Sequence, residues 1–263
     1  MYVSLFAQEL PSSANWGAGG WTRAGAIVAT PYDLDSLQSN PAGLMRYQKQ
    51  SSVGGSYNKL PLNLDEWSAG VVDGRTAVIG AFSFDWLERG DIIRKAYNIG
   101  AAYNTTYGAA GFAANFYNFE GMNRYNGWHL SQTTGILVPV AYGINIAAAA
   151  KSFLDNEPDT LLPPQFSTGV SFTKEGILIF SFQADRRFEI PSQDWNYSFG
   201  GDLLFKDFYA IRGGYRIDNS KETDIWSVGL VMTAPRFEIF GFYTQASDIA
   251  DDDGFGLSAA FLF

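Results

Sequence analysis

The sequence of 263 residues contains no cysteine, few charged side chains and no long apolar run. Without cysteine the chain forms no disulfides, which fits a protein that crosses an oxidising compartment and folds without them. No segment approaches the roughly 18 consecutive apolar residues that a transmembrane helix needs. Acidic residues outnumber basic residues by 27 to 18, a net charge of −9. This balance argues against a nucleic-acid partner, because phosphates require a basic surface.

Aromatic residues and glycine are abundant instead. Aromatic residues make up 16% of the chain, and 28 residues are glycine. This composition favours strands and disfavours helices. Only helices and closed barrels satisfy every backbone polar group in lipid, so a membrane protein of this composition must cross as a barrel. Nothing in the chain resembles a linker, which predicts one domain.

From about Gln50 onward, segments of roughly ten residues alternate with turn signals, and about fourteen such segments can be distinguished. In residues 78–86 every second residue, including Phe82 and Trp86, is mainly apolar or aromatic, whereas Ser83 and Asp85 lie between them. The same period of two recurs in residues 178–185, 195–205 and 255–263. The pattern predicts an all-β fold, a transmembrane antiparallel β-barrel over residues 49–263 with an apolar outer face. A soluble β-sandwich or lipocalin-like barrel is the alternative, but its exposed face should carry many Lys and Glu.

The predicted connections alternate between shorter and longer ones, as expected for short periplasmic turns and longer outer loops. An even number of strands places both ends of the barrel on the same side, which we expect to be the periplasm.

The amino-terminal part has little sustained period. Residues 8–48 are rich in Gly, Ser, Pro and Asn, and Asn40-Pro41-Ala42-Gly43 indicates a rigid turn. We interpret this part as a compact hatch, or plug, inside the barrel. Residues 1–7 resemble the end of a signal peptide and are a possible remnant of one.

Four short stretches of this part carry a family resemblance: Arg23-Ala24-Gly25, Ala26 to Ala29, Asp33 to Ser36, and Asn40-Pro41-Ala42. Together they resemble the hatch of the FadL superfamily of outer-membrane barrels, which includes long-chain fatty acid transporters and PorV-type proteins of a secretion system. The terminal Phe263 resembles the aromatic residue that closes such barrels. The outer loops are shorter than in the fatty acid transporters, which puts an external binding groove in doubt.

The resemblance implies a bacterial outer-membrane protein that contacts lipid and passively transports a small hydrophobic ligand. A PorV-like scaffold that binds a partner protein in an envelope complex is the alternative, and an open porin ranks third. The hatch tip is expected at Asn40, Pro41, Ala42 and Gly43. Ile79 and Leu204 are the candidates for apolar ligand contacts in the lumen. If the family's route applies, a break in the third strand opens the wall, and Gly80 is the candidate for this lateral opening.

Charged and small residues are predicted on the luminal face. The charged candidates are Asp185, Asp202, Arg212 and Arg216, which are expected to pair with one another, to anchor the hatch or to line a polar path. Small luminal residues leave volume for a plug or ligand, or they relieve barrel curvature; they are Gly100, Ala102, Gly111, Ala113, Gly169, Gly200, Gly214, Gly229 and Gly256.

Catalytic residues, a metal site and a cofactor are not predicted. His129 is the only histidine, and its position beside Trp128 near the outer end of a strand favours a residue at the rim over a catalytic triad. The acidic run Asp248, Asp251, Asp252 and Asp253 lacks the spacing of a calcium loop and is interpreted as a solvated outer loop.

Overall fold

The computed structural model describes residues 20–31, 33–60, 64–121, 126–153, 164–174, 177–188, 195–205, 208–219, 223–247 and 253–263. The predicted signal-peptide remnant, the first part of the predicted hatch and most of the acidic run lie outside these residues.

Fourteen antiparallel strands form one closed barrel, as the alternating pattern predicts. Each strand pairs with its neighbours along the chain, and β1 pairs with β14, with Tyr57 opposite Leu257, to close the sheet. The strands are β1 (Ser51–Leu60), β2 (Leu64–Asp73), β3 (Val78–Arg89), β4 (Ile92–Thr105), β5 (Gly108–Glu120), β6 (Gly127–Ala141), β7 (Ile144–Lys151), β8 (Gln165–Lys174), β9 (Leu178–Arg187), β10 (Asn196–Phe205), β11 (Tyr209–Asp218), β12 (Thr223–Ala234), β13 (Phe237–Ala246) and β14 (Asp253–Leu262).

Side chains alternate between the lumen and the outer surface along each strand. In β3, Ser83 and Asp85 are buried inside, whereas Phe82 is exposed on the outside. Exposed aromatic residues lie towards both strand ends, for example Trp67 and Trp128 at one end and Tyr103, Tyr209 and Phe237 at the other, with Phe112, Phe180 and Leu230 on the outer face. An apolar surface between two aromatic belts is the outer surface of a membrane-spanning barrel.

The two ends of the barrel differ in their connections. The start of β1 and the end of β14 lie at the end where consecutive strands are joined by two to four residues, which we call the turn end. At the opposite loop end the connections range from two residues, between β3 and β4, to thirteen, between β7 and β8. The predicted alternation of connection lengths is therefore present only in part, because three connections at the loop end, β1–β2, β3–β4 and β11–β12, are as short as those at the turn end.

Residues 20–31 and 33–48, which we call the inner segment, lie inside the barrel. The second range contains a 3-10 helix at Asp33–Asp35, the short helix α1 at Ser36–Ser39 and a longer 3-10 helix at Pro41–Tyr47. Asn40 accepts a hydrogen bond from the backbone of Ala42 at the start of the last helix, where Pro41 needs no hydrogen-bond partner for its nitrogen. None of the helices in the described residues has the length and apolar character needed to cross a membrane.

Candidate functional site

The inner segment rests on a belt of luminal glycines. A methyl group built at Gly111 or Gly214 would lie less than 3.0 Å from backbone atoms of Pro41 or Arg23, respectively. Six further glycines of the belt have an atom of the inner segment within 3.0 Å of such a methyl group: Gly70, Gly100, Gly135, Gly169, Gly200 and Gly229. A larger residue at Gly111 or Gly214 would push the backbone of the inner segment away from the wall. The glycines therefore allow the segment to lie directly against the sheet.

Three polar side chains hold the backbone of the inner segment. The Gln183 side-chain oxygen accepts hydrogen bonds from the backbone nitrogens of Ile27 and Val28, at 3.1 and 2.9 Å. The Ser171 hydroxyl donates to the Ala29 carbonyl at 3.1 Å. Asn40, completely buried, donates from Nδ2 to the Val28 carbonyl at 2.8 Å and to the Ile136 carbonyl of β6 at 3.1 Å. Asn40 thereby links the two halves of the inner segment to each other and to the wall.

A buried ion pair joins the inner segment to β10 and β11. Arg23 donates from Nε to Oδ1 of Asp202 at 2.9 Å and pairs through Nη2 with the other carboxylate oxygen. Arg212, directly opposite Asp202 in the sheet, donates to the same carboxylate at 3.2 Å. All three side chains are at most 2% exposed. One carboxylate thus holds two arginines, of which one belongs to the inner segment, and such buried pairs are costly to break by removing one partner.

Asp185 and Arg216 form a second pair within the wall. Arg216 Nη1 lies 2.9 Å from Asp185 Oδ1, and Nη2 lies 3.1 Å from Oδ2, so the contact is bidentate. Arg216 also donates to Ser198 at 3.0 Å and pairs with Asp218 at 3.6 Å. The four charged candidates therefore fall into two groups, of which the Asp202 group contacts the inner segment directly and the Asp185 group lies between strands.

A further buried polar cluster lies on β2, β3 and β4. Asp85 accepts hydrogen bonds from Gln38 of the inner segment at 2.6 Å and from Asn98 at 2.5 Å. Glu66 lies 3.8 Å from Arg94 in the same region of the wall. The contact between Gln38 and Asp85 is a further polar attachment of the inner segment, on the side of the barrel where β3 lies.

The remaining candidates lie as follows. Ile79 is completely buried on the luminal face of β3, and Leu204 is partly buried and packs against a buried apolar cluster that includes Ala210 and Val231. Gly80 faces outwards, with nothing within 4 Å of a methyl group built on it. It pairs with Asp73 and Ala101 in an uninterrupted ladder. β3 is thus paired on both sides at this point. A lateral opening at Gly80 stays a prediction.

Sequence reasoning missed Arg23, Gln183 and Gln38 as contacts between the inner segment and the wall. One signal for Arg23 was available, since it is the only charged residue in residues 10–31. A single charge in a stretch that is expected to be buried needs a partner of opposite sign. His129 lies near the loop end of β6, as expected, and its side chain is on the luminal side, opposite Tyr117 and in T-shaped contact with Phe119.

A pocket of about 400 Å³ lies at the turn end between the inner segment and the wall. It is lined by Arg23, Ala29, Thr30, Pro31, Gly43, Met45, Arg46, Asn104, Gly108, Ala109, Leu137, Pro139, Asn145 and Ile179. Most of this lining is apolar, which suits a small hydrophobic molecule.

This chain is similar in fold to several solved structures, although not in sequence. No protein-family model matches the sequence, and no curated protein matches it. Among solved structures, the chain is similar to the CymD monoaromatic hydrocarbon channel, with a TM-score of 0.70, 10% identity, and coverage of 92% of this chain and 95% of that one. It is similar to the toluene transporter TbuX of Ralstonia pickettii, with a TM-score of 0.65, 12% identity, and coverage of 92% and 96%. It is also similar to the toluene transporter TodX of P. putida, with a TM-score of 0.65, 9% identity, and coverage of 92% and 97%.

At these identities the comparison establishes a shared fold. The barrel fold that the predicted resemblance implies is confirmed, since this chain forms a closed 14-stranded barrel and shares its fold with these three structures.

Proposed function

We propose that this chain is an outer-membrane channel for the passive passage of small hydrophobic molecules, with the inner segment acting as its hatch. The observation that carries the proposal is a closed barrel with an apolar outer surface, inside which a segment lies against a belt of glycines. The shared fold with proteins described as a monoaromatic hydrocarbon channel and as toluene transporters supports hydrocarbons of this size as the substrate class. Passage needs no chemical step, so the proposed protein is not an enzyme.

In this proposal the ligand enters the lumen at the loop end and passes the hatch after the hatch shifts. Asn40, Pro41, Ala42 and Gly43 form the hatch tip, and Ile79 and Leu204 contact the ligand. The ligand then leaves either sideways near Gly80 or through the turn end, where β1 begins and β14 ends and which we assign to the periplasm. For the hatch to shift, its polar contacts to separate places on the wall must break, at Asp202, Gln183 and Asp85.

Deleting residues 10–45 tests the hatch. The expected result is a changed rate of toluene uptake in cells whose outer membrane carries the variant, because the barrier in the lumen is gone. The control is a full-length chain with Gly213→Ala, an outward-facing substitution whose nearest atom is the Ser227 carbonyl oxygen at 3.6 Å. Uptake by the deletion variant at the rate of the intact chain would contradict the mechanism.

The scaffold alternative stays a prediction, and one experiment separates it from transport. Native mass spectrometry of protein extracted gently from its own membrane should show a small hydrophobic adduct that disappears when residues 40–42 are altered. A stoichiometric protein partner on a barrel without such an adduct would favour the scaffold.

A further inference from the structure

Asp85 is a buried carboxylate that forms no ion pair with any residue that the structure describes. It lies on the luminal face of β3 and is 6% exposed. Its hydrogen bonds come from two neutral amides, those of Gln38 and Asn98. Arg94 of β4 lies within ion-pair distance of Glu66 of β2, at 3.8 Å. A buried charge is costly unless a group of opposite charge compensates it, and Asp85 therefore lacks a positive partner of its own.

The two carboxylates and the arginine form one group on the luminal face. Asp85 lies directly opposite Ser68, which is two residues along β2 from Glu66. It also lies directly opposite Ala96, which is two residues along β4 from Arg94. Diagonal neighbours of this kind are about 7–8 Å apart. Two carboxylates thus share one arginine, and this group of three side chains carries one negative charge in excess.

Two buried amide oxygens beside Asp85 have no hydrogen-bond donor. The side-chain nitrogens of Gln38 and Asn98 both donate to Oδ2 of Asp85, at 2.6 and 2.5 Å. Each amide oxygen is bonded to the same carbon as its nitrogen, so Oε1 of Gln38 and Oδ1 of Asn98 also lie near this carboxylate. Both oxygens are buried, and neither accepts a hydrogen bond within the described part of the chain. Buried acceptors without a donor indicate that a group outside the chain contacts them.

A cation supplies both the missing charge and the missing contacts. A proton on Asp85 would neutralise the excess charge, but it adds a single donor for the two amide oxygens. Water can donate to both oxygens, but it carries no charge. Carboxylate and amide oxygens are the ligands that hard cations bind. A monovalent ion matches one excess negative charge, whereas a divalent ion would leave one positive charge in excess.

We propose that Asp85, Asn98 and Gln38 bind a monovalent hard cation, for which Na⁺ is the probe. Asp85 and Asn98 belong to the wall, whereas Gln38 belongs to α1 of the inner segment. The ion therefore joins the inner segment to the wall, and its binding favours the seated position of the segment. This site goes beyond the proposed function, because ion binding is a property of the barrel with its inner segment in place, whatever passes through the lumen.

Sodium NMR on the full chain in nanodiscs of uncharged lipid tests the site, since bound Na⁺ broadens the resonance. The intact chain should broaden it beyond empty nanodiscs, and Asp85→Asn should remove this excess. Gln38→Met should remove it as well and leaves every residue of the wall unchanged, so the test stands even if Asp85→Asn does not fold. The matched control is Asp91→Asn, which removes an exposed carboxylate of the turn between β3 and β4 and should leave the excess unchanged.

The site is overturned if the intact chain gives no excess broadening, or if the excess survives in both Asp85→Asn and Gln38→Met.

Maleimide labelling of Val28→Cys, a position of the inner segment that is 1% exposed, tests the link between the ion and the seated segment. At about 200 mM, Na⁺ should slow labelling about fivefold relative to tetramethylammonium if the Kd is about 50 mM. Equal rates in the two salts would refute this link. Neither measurement uses toluene uptake, so a failure here is distinct from a failure of the proposed function.

Discussion

Replacing Gly214 by alanine should loosen the inner segment, whereas the same change at Gly213 should not. The two neighbours lie on opposite faces of β11. A methyl group at Gly214 would lie less than 3.0 Å from the backbone of Arg23, whereas one at Gly213 would have the Ser227 carbonyl oxygen at 3.6 Å as its nearest neighbour. Since real Cβ atoms essentially never come within 3.0 Å of another heavy atom, the backbone at Arg23 must shift in Gly214→Ala.

The magnitude follows from the cost of overpacking. Adding a methyl group to a tightly packed site typically costs about 1–3 kcal/mol. Because about 1.4 kcal/mol corresponds to a factor of ten, the population with a displaced inner segment should rise about 5- to 150-fold.

A single introduced cysteine reports this population, since the natural chain has none. Val28→Cys places a thiol at a position that is 1% exposed, where cysteine can serve as a small apolar residue. The rate of maleimide labelling in nanodiscs should rise by the same factor when Gly214→Ala is added and should change less than about twofold when Gly213→Ala is added. Equal labelling rates for the two alanine variants would refute the reasoning that the glycine belt seats the inner segment.

Three further changes test other parts of the structure. Asp202→Asn leaves Arg23 and Arg212 buried without their shared carboxylate and should lower the free energy of unfolding by roughly 3–5 kcal/mol in urea titrations; an unchanged midpoint would show that the pair does not form. Asn40→Ala removes the three side-chain hydrogen bonds of Asn40 at a cost of about 1–3 kcal/mol and should accelerate labelling of the Val28→Cys reporter; equal rates would contradict the role of Asn40. Val228→Lys, midway along β12 on the outer face, should cost about 2–4 kcal/mol in lipid, against about 0–1 for Phe237→Lys at the turn end, as measured by refolding into vesicles; equal costs would contradict the membrane position.

The barrel could be predicted from the sequence because its signal is local. Each strand carries a period of two, visible for example in residues 78–86, and each ends at turn residues. One face of each strand is apolar and the other is small or polar. This pattern restricts the register between neighbouring strands, since a slip by one residue would move every side chain to the opposite face of the sheet. The number of strands follows from counting these segments, and the pairing of β1 with β14 follows from closure of the sheet.

The contacts of the inner segment could not be predicted in the same way. Arg23 and Asp202 are 179 residues apart in the sequence, and no periodic pattern relates a segment without regular structure to a particular strand. The luminal glycines were recognised as small, but volume for a plug and relief of curvature were equally good explanations. The structure separates them: Gly111 and Gly214 are covered by the inner segment, whereas Gly256 faces Asn58 and Phe242 of the wall.

Toluene uptake tests the central claim most directly. Radiolabelled toluene would be supplied to two otherwise identical cell populations whose outer membranes either contain or lack the full chain, and its initial rate of entry would be measured. A channel for small hydrophobic molecules predicts faster entry in the cells that carry the chain, and a further change in rate when residues 10–45 are deleted. Equal rates of entry with and without the chain would contradict the account.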